Sequence, residues 1–344
     1  MACHAAPDAA IGHNHGEMAR IVPAKPEWIE KAAEVIRSGG LVAFPTETVY
    51  GLGANALDSN AVGRIFAAKG RPARNPIIVH IGSPAGLGEV ANSSQPVAKA
   101  LAAEFWPGPL TLVLPKSSRI PSIVTAGGPT VGVRMPDHPI ALALIRASGV
   151  PIAAPSANRS ESVSPTCAQH VLDSLGEAVD LILDGGPCKF GIESTVLDVT
   201  SDPPVVLRPG AITAAQIAQV LGIEPVSACD PAHPNGALKA PGQMRRHYAP
   251  NATLLIRDDP SREVATAQRP GIITHLPLTG LPNGAQVLVL PGNPTGYAAG
   301  LYAALRELDR AGCDRIFVQT PPNTPDWLAI SDRIQRAAEP AEQT

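Results

Sequence analysis

Apolar and polar positions follow two rhythms along the chain. Over residues 26–37, Ile29, Ala32, Ala33 and Ile36 recur at helical spacing and Gly39-Gly40 stops them, which predicts a helix. The apolar run 41–44 predicts a buried strand. Residues 60–69, entered through Asp58-Ser59, predict a second helix, and the β-branched run 77–81 another strand. Apolar runs at 110–114, 131–134, 151–154, 181–183, 195–199 and 205–207 predict further strands. Residues 165–175 predict a helix with Ser164 as N-cap and Pro165 at its first position. Short strands alternating with helices make an α/β domain. Several connections are too short for a crossover helix, so the sheet is expected to be mixed.

The rhythm stops over 222–250, a stretch rich in Pro, Gly and polar residues with no period, which reads as a linker or a functional loop. It then resumes, with strands at 253–256, 271–274, 287–290 and 315–319 and helices at about 295–311 and 327–338. On the first of these helices Tyr297, Leu301, Ala304, Leu305 and Leu308 share a face. This pattern predicts a small second α/β domain with a parallel sheet. The chain divides into a disordered tail (1–21), a larger domain (22–213), a linker or lid (214–250) and a smaller domain (251–338).

Composition narrows the function classes. Among 344 residues, 44% are apolar and the formal net charge is −3, which excludes a disordered chain. No apolar run is long enough to span a membrane. Aromatics make up 3%, against a base-stacking single-strand binder, and the acidic balance leaves room only for a local basic cleft. Pro, at 37 residues, is about double its usual share of ~5% and must sit in turns and loops. Cys3, Cys167, Cys188, Cys229 and Cys313 form no CxxC pair and read as free thiols of a reducing compartment, here the cytoplasm. Residues 1–17 lack a signal-peptide pattern and are expected to be a tail ahead of a natural start at Met18. His4, His13 and His15 in it would bind metal only adventitiously.

Phosphate loops fail on inspection. Gly63–Lys69 (GRIFAAK) has Ala68 where a P-loop needs Gly, and Gly51-Leu52-Gly53 lacks the later glycines of GxGxxG. A nucleotide would have to be held by side-chain cations and hydroxyls.

Five segments offer such groups at strand or helix ends, where α/β sites form. Thr46, Glu47, Thr48 and Tyr50 fall in a Gly-bounded turn after strand 41–44, which reads equally as a site or as a turn held by its own hydroxyls. Lys69 and Arg71 flank Gly70. They suit an anion site with a point charge and a bidentate fork, or else a helix C-terminus capped by Gly70. Arg74 adds charge, Asn75 could orient a phosphate or ribose, and His80 ends an apolar strand. Arg134 interrupts another apolar strand and needs a carboxylate, from a ligand or from Glu47 or Glu193. Ser156 and Asn158 (APSAN), then Ser194 (GIESTV) and Arg208 (LRPG), lie at the ends of further strands. No Ser–His–Asp or Cys–His pattern stands out. The set suits binding and orienting a polyanion, with rate gained from proximity and charge neutralisation.

PTETVYGLG, KGRP with its downstream NP and His, VRMPDHP, APSAN, GIESTV and LRPG occur in one order, and together they resemble the Sua/YrdC/YwlC family, the L-threonylcarbamoyladenylate synthases. PGQMRRHYAP resembles the linker of the two-domain members, although Arg245 stands where an aromatic is often found, and the segment before the last helix lacks their Gly-rich turn. The resemblance implies a YrdC-like twisted mixed-sheet domain and a smaller Rossmann-like α/β domain. It implies conversion of L-threonine, bicarbonate and ATP to threonylcarbamoyl-AMP, pyrophosphate and water, with Mg²⁺ carried by ATP and no protein metal site. It assigns Lys69 and Arg71 to catalysis. Asn75, Thr130, Ser156, Asn158, Ser164, Arg208 and His247 would join them on ATP. Thr46 or Thr48, His80, Arg134, Ala154 and Ser194 would hold threonine. A downstream tRNA-modifying transferase complex would take the product, and double-stranded RNA contact is implied. Alternatives are a non-catalytic RNA-binding module, disfavoured by the acidic balance, and a carbamoyltransferase step, whose carriers have zinc-finger regions this chain lacks.

Overall fold

The computed structural model describes residues 20–92, 95–227, 246–281 and 284–338. The larger domain opens with β1 (Arg20–Pro23), α1 (Pro26–Arg37), β2 (Val42–Phe44), β3 (Gly51–Asn55), α2 (Ser59–Lys69) and β4 (Val79–His80). It continues with α3 (Leu87–Val90), α4 (Pro96–Phe105), β5 (Leu110–Pro115), β6 (Thr130–Arg134), α5 (Pro139–Ser148) and β7 (Ile152–Ala153). Then come α6 (Ala168–Leu175), β8 (Leu181–Asp184), β9 (Thr195–Asp198), β10 (Val205–Arg208), α7 (Ala214–Leu221) and β11 (Val226–Ser227). The smaller domain holds β12 (Thr253–Arg257), β13 (Pro270–Thr274), β14 (Gln286–Val289), α8 (Pro294–Arg310), β15 (Arg315–Gln319) and α9 (Leu328–Ala338).

Among the described residues the large sheet runs β1-β8-β2-β3-β7-β4-β6-β5-β9-β10-β11. It mixes parallel pairs such as β4/β6 with antiparallel ones such as β5/β6, as expected from the short connections. The small sheet, β12-β15-β13-β14, is wholly parallel. One face of the large sheet buries Ala32, Ala33 and Ile36 of α1 against Ala141, Leu144 and Ile145 of α5; the other carries the main core. A third cluster crosses the domain boundary, joining Val49, Val163 and Ile192 of the larger domain to Tyr248, Ala298 and Tyr302.

Local chemistry explains the elements that place the site. Asp58 caps α2 by accepting from the Asn60 and Ala61 amides, and Gly70 ends it at φ 60°. Gly51 and Gly53, expected to bound a turn, lie in β3. A Cβ on Gly53 would stand 2.7 Å from the Phe44 ring, so this glycine serves close strand packing.

Several expectations are corrected. Ser164 does not cap α6, which starts at Ala168 behind Cys167 with no side-chain cap. The Ser164 hydroxyl is spent on Glu193, and the Pro165 carbonyl accepts from the Tyr50 amide, so 164–167 is pinned to the PTETVYG turn instead of coiling. Arg20 and Ile21 belong to β1, so the tail is shorter than 1–21. Residues 214–227 are no free linker. A Thr213/Gln216 capping box starts α7, which packs on α4, and β11 extends the sheet beyond β10. Met18, His4, His13, His15, Cys3, Cys229 and Arg245 lie outside the described residues.

Candidate active site

A small cavity opens where β2, β4, β6, β7 and β10 end and β9 begins. Among its lining residues are Thr48, Arg71, His80, Arg134, Ser194 and Arg208, with Thr46, Ala154, Ser156 and His247 also on its wall. Val49, Gly51, Ile78, Pro155, Glu193 and Tyr248 complete it. Residues as distant in sequence as Thr46 and Tyr248 thus meet at one place.

Two of its arginines are held in different ways. Arg134 is buried. It donates from Nη1 to Thr48 Oγ1 at 3.0 Å and from Nε to the Gly108 carbonyl at 3.2 Å, and its Nη2 pairs with Glu47 Oε1 at 2.6 Å. Glu47, not Glu193, is therefore its internal carboxylate. Five N–H groups meet three partners, so the guanidinium retains donors for a further anion. Arg71 donates to the Asn75 carbonyl (3.0 Å), Asn75 Oδ1 (2.7 Å) and the Pro76 carbonyl (2.7 Å). Asn75 aims Arg71 and does not itself reach the cavity wall.

Lys69 donates to the Ser156 carbonyl at 2.6 Å and to the Asn158 carbonyl. The KGRP and APSAN motifs are thus one hydrogen-bonded unit. Lys69 lies just behind the cavity wall. So does Asn158, whose amide nitrogen holds the Arg159 and Ser162 carbonyls. Arg208 donates to the Ser194 carbonyl (3.0 Å) and Ser194 Oγ (3.1 Å), and Thr111 Oγ1 lies 2.8 Å from the same Oγ.

Burial, and after it crowded positive charge, sets the electrostatics. Burial, and then Arg71, hold the Lys69 ammonium well below its usual pKa despite the pull of Glu193. Burial, with Arg208 beside it, brings Arg71 down to about 9. Burial foremost, and the cations Arg71, Lys69 and Arg208 against the opposing Glu193, bring His247 down to about 3. Burial and Arg134 bring His80 to about 3. Both imidazoles are neutral, and the His80 Nδ1 has no hydrogen-bond partner. Cations squeezed together in a low-dielectric wall are relieved by a bound anion.

Other predicted residues serve the walls. Thr46 Oγ1 accepts from the Thr48 and Val49 amides and donates to the Val49 carbonyl, the locally held turn that was one of its two readings. The Ala154 amide is spent on the Ile78 carbonyl. Ser164 donates to Glu193 Oε1 at 2.6 Å behind the wall. Thr130 starts β6, about 13 Å along the strand from Arg134 at ~3.3 Å per residue, and does not line the cavity. Glu193 and Tyr248 were not singled out as site residues. Both sit inside quoted motifs, GIESTV and RRHY, which was the available signal.

His247 and Tyr248 close the cavity. Tyr248 takes a left-handed φ of 62° and stacks on Tyr302 of α8 at 5.8 Å, and the two linker rings meet edge-on at 4.0 Å. The space left is about 50 Å³, room for a water or two. The only described stretch of the expected lid beyond 227 thus covers the cation cluster. No helix among the described residues is long and apolar enough to cross a membrane, and no group of three or more His, Cys, Asp or Glu among them could hold a metal.

Comparison with known proteins follows the same division of the chain. The family model for Sua5, YciO and YrdC proteins, described as telomere recombination, matches residues 34–210. The model described as the threonylcarbamoyl-AMP synthase C-terminal domain matches residues 212–339. A threonylcarbamoyl-AMP synthase of Pyrococcus abyssi is 45% identical over 91% of this chain and 94% of its own length. One of Bacillus subtilis is 44% identical over 90% of this chain and 92% of its own. The crystal structure of P. abyssi Sua5 complexed with L-threonine superposes with a TM-score of 0.86 at 44% identity, covering 92% of this chain and 96% of that one.

Proposed function

The chain belongs to the Sua5, YciO and YrdC family in its two-domain form, and from that premise we propose that it is a threonylcarbamoyl-AMP synthase serving tRNA modification. It joins L-threonine, bicarbonate and ATP into threonylcarbamoyl-AMP, pyrophosphate and water. The observation that carries this reading is the convergence of Arg134, Arg71 and Arg208 on one cavity, with Lys69 behind its wall, around Ser194 and a neutral His80.

The chemistry needs no protein nucleophile. Threonine's amine takes up bicarbonate, losing water, to give a carbamate. A carbamate oxygen attacks the α-phosphorus and pyrophosphate leaves in line. In this reading the free donors of Arg134 take the threonine carboxylate, and the unpartnered His80 nitrogen accepts a proton-bearing group of the amino acid. Arg71 and Arg208, backed by Lys69, neutralise the phosphates. Mg²⁺ enters with the triphosphate. The carboxylates near the site are already engaged, Glu47 by Arg134 and Glu193 by Arg333, so the protein's own offering here is cationic.

A cavity of about 50 Å³ does not admit ATP, so substrate entry moves the His247–Tyr248 segment aside, and its return excludes water from the anhydride. The labile product is handed to a tRNA-modifying transferase complex. Contact with double-stranded RNA and work in a reducing cytoplasm complete the proposal; Cys167, Cys188 and Cys313 are buried and in no disulfide among the described residues. The test is pyrophosphate release from ATP in bicarbonate buffer. Release is expected only when both threonine and bicarbonate are present, and release indifferent to either rejects the reading.

A further inference from the structure

The smaller domain sends one fully buried side chain into the wall of the site. Arg333 of α9 has no exposed surface. Its Nε donates to Glu193 Oε2 at 2.9 Å, and its Nη2 donates to the Glu193 carbonyl at 3.4 Å and the Pro209 carbonyl at 3.0 Å. Nη1 is held by Asp332 at 2.6 Å, and the guanidinium lies 5.1 Å from the centre of the Tyr248 ring. One planar fork therefore fixes three segments at once, with planes that a lysine could not reproduce.

Each segment carries a group of the cavity. Glu193 precedes Ser194. Pro209 follows Arg208, which donates to Ser194 in turn. Tyr248 is the roof. The Glu193 carboxylate is held further by Ser164 (2.6 Å) and by the Tyr302 hydroxyl of α8 (3.0 Å). Burial alone would raise this carboxyl's pKa, but Arg333 and Arg208, and then Ser164, bring it below its usual value, so it stays charged and holds the fork. The contact is tight as well as polar. A Cβ on Gly191 would stand 2.6 Å from the Ala298 carbonyl of α8, and Arg306 of α8 donates to the carbonyls of Val163 and Ser164.

On the reading of this site as a synthase, we propose that Arg333, seconded by Tyr302, is a positioning residue for the reaction: through Glu193 and Pro209 it sets Ser194, Arg208 and the Tyr248 roof, so the second domain completes the active site. The domain is then part of the catalytic unit and not an appendage that stabilises it.

The test uses the full chain. Arg333→Lys and Tyr302→Phe are compared with the unaltered enzyme by threonine-dependent pyrophosphate release, with KM for both substrates and with melting curves. The proposal expects Arg333→Lys to lose tenfold or more in kcat and to raise the KM for ATP at temperatures where it is folded. Tyr302→Phe, which removes only one hydroxyl, is expected to lose threefold or more with an unchanged melting curve. If Arg333→Lys fails to fold, Tyr302→Phe decides alone. A lower melting point with unaltered kcat and KM in the folded variants would mean that Arg333 only stabilises the domain contact, and would overturn the proposal. If the unaltered enzyme releases no pyrophosphate in response to threonine, the synthase reading itself falls and takes this proposal with it.

Discussion

Arg134 and Glu47 form a buried ion pair, with Nη2 and Oε1 2.6 Å apart, at the wall of the cavity. The pair lets an arginine live inside an apolar strand while keeping donors for a ligand. Replacing Arg134 by Met leaves Glu47 buried without its counter-charge, a loss on the order of 3–5 kcal/mol in stability. Replacing it by Lys keeps the charge but not the fork. For Arg134→Lys the KM for L-threonine is expected to rise about tenfold or more with the KM for ATP little changed. Steady-state assays varying each substrate check this, and an equal rise for both substrates would refute the carboxylate-clamp role.

Among the described residues the Arg71 side chain is hydrogen-bonded only to its own loop, at Asn75 and Pro76, so its removal should spare the fold. Arg71→Ala is expected to lower turnover by about 10²–10³-fold, the scale of losing one preorganised charge donor. Circular dichroism and melting should match the unaltered protein. Full activity would reject the phosphate assignment.

Acid should destabilise the protein well above the carboxylate range. His80 and His247 titrate at about 3 in the folded chain and His170 at about 4, against 6.5 for an ordinary imidazole, burial being the first cause in each. Below about pH 6.5 the unfolded chain binds protons that the native one refuses, so stability falls as pH drops from about 6.5 toward these values. Each such histidine contributes about 1.4 kcal/mol per pH unit inside that window. His170 lies outside the cavity, and His170→Asn should flatten the fall in urea midpoint between pH 6.5 and 5. An unchanged slope would show that His170 is not held neutral.

Gly191 has φ +71° and presses on the backbone of Ala298 and Ala299. Gly191→Ala pays both for left-handed backbone, at about 1–2 kcal/mol, and for a contact that backbone cannot relieve. A lower melting temperature and faster protease cleavage between the domains are expected. A melting curve matching that of the unaltered protein would show that the close approach carries no energetic weight.

What the sequence determined by itself was local and ordinal. Helical spacing located α1, α2, α8 and α9, apolar runs located most strands of both sheets, and the order of six short motifs gathered most of the cavity wall. Apolar periodicity is legible because it reports which face an element buries. It left α4, α5 and α7 unassigned, and β3, whose glycines read as a turn. Only the tertiary structure decided partnership. Arg134 takes Glu47 and not Glu193, Ser164 turns from its helix to Glu193, and Lys69 spends its charge on the APSAN carbonyls. Glu193 in turn meets Arg333, 140 residues away. A charged side chain states in sequence that it needs a partner if it is buried. Which partner it finds depends on how sheets and domains bring distant segments together, and no local pattern encodes that.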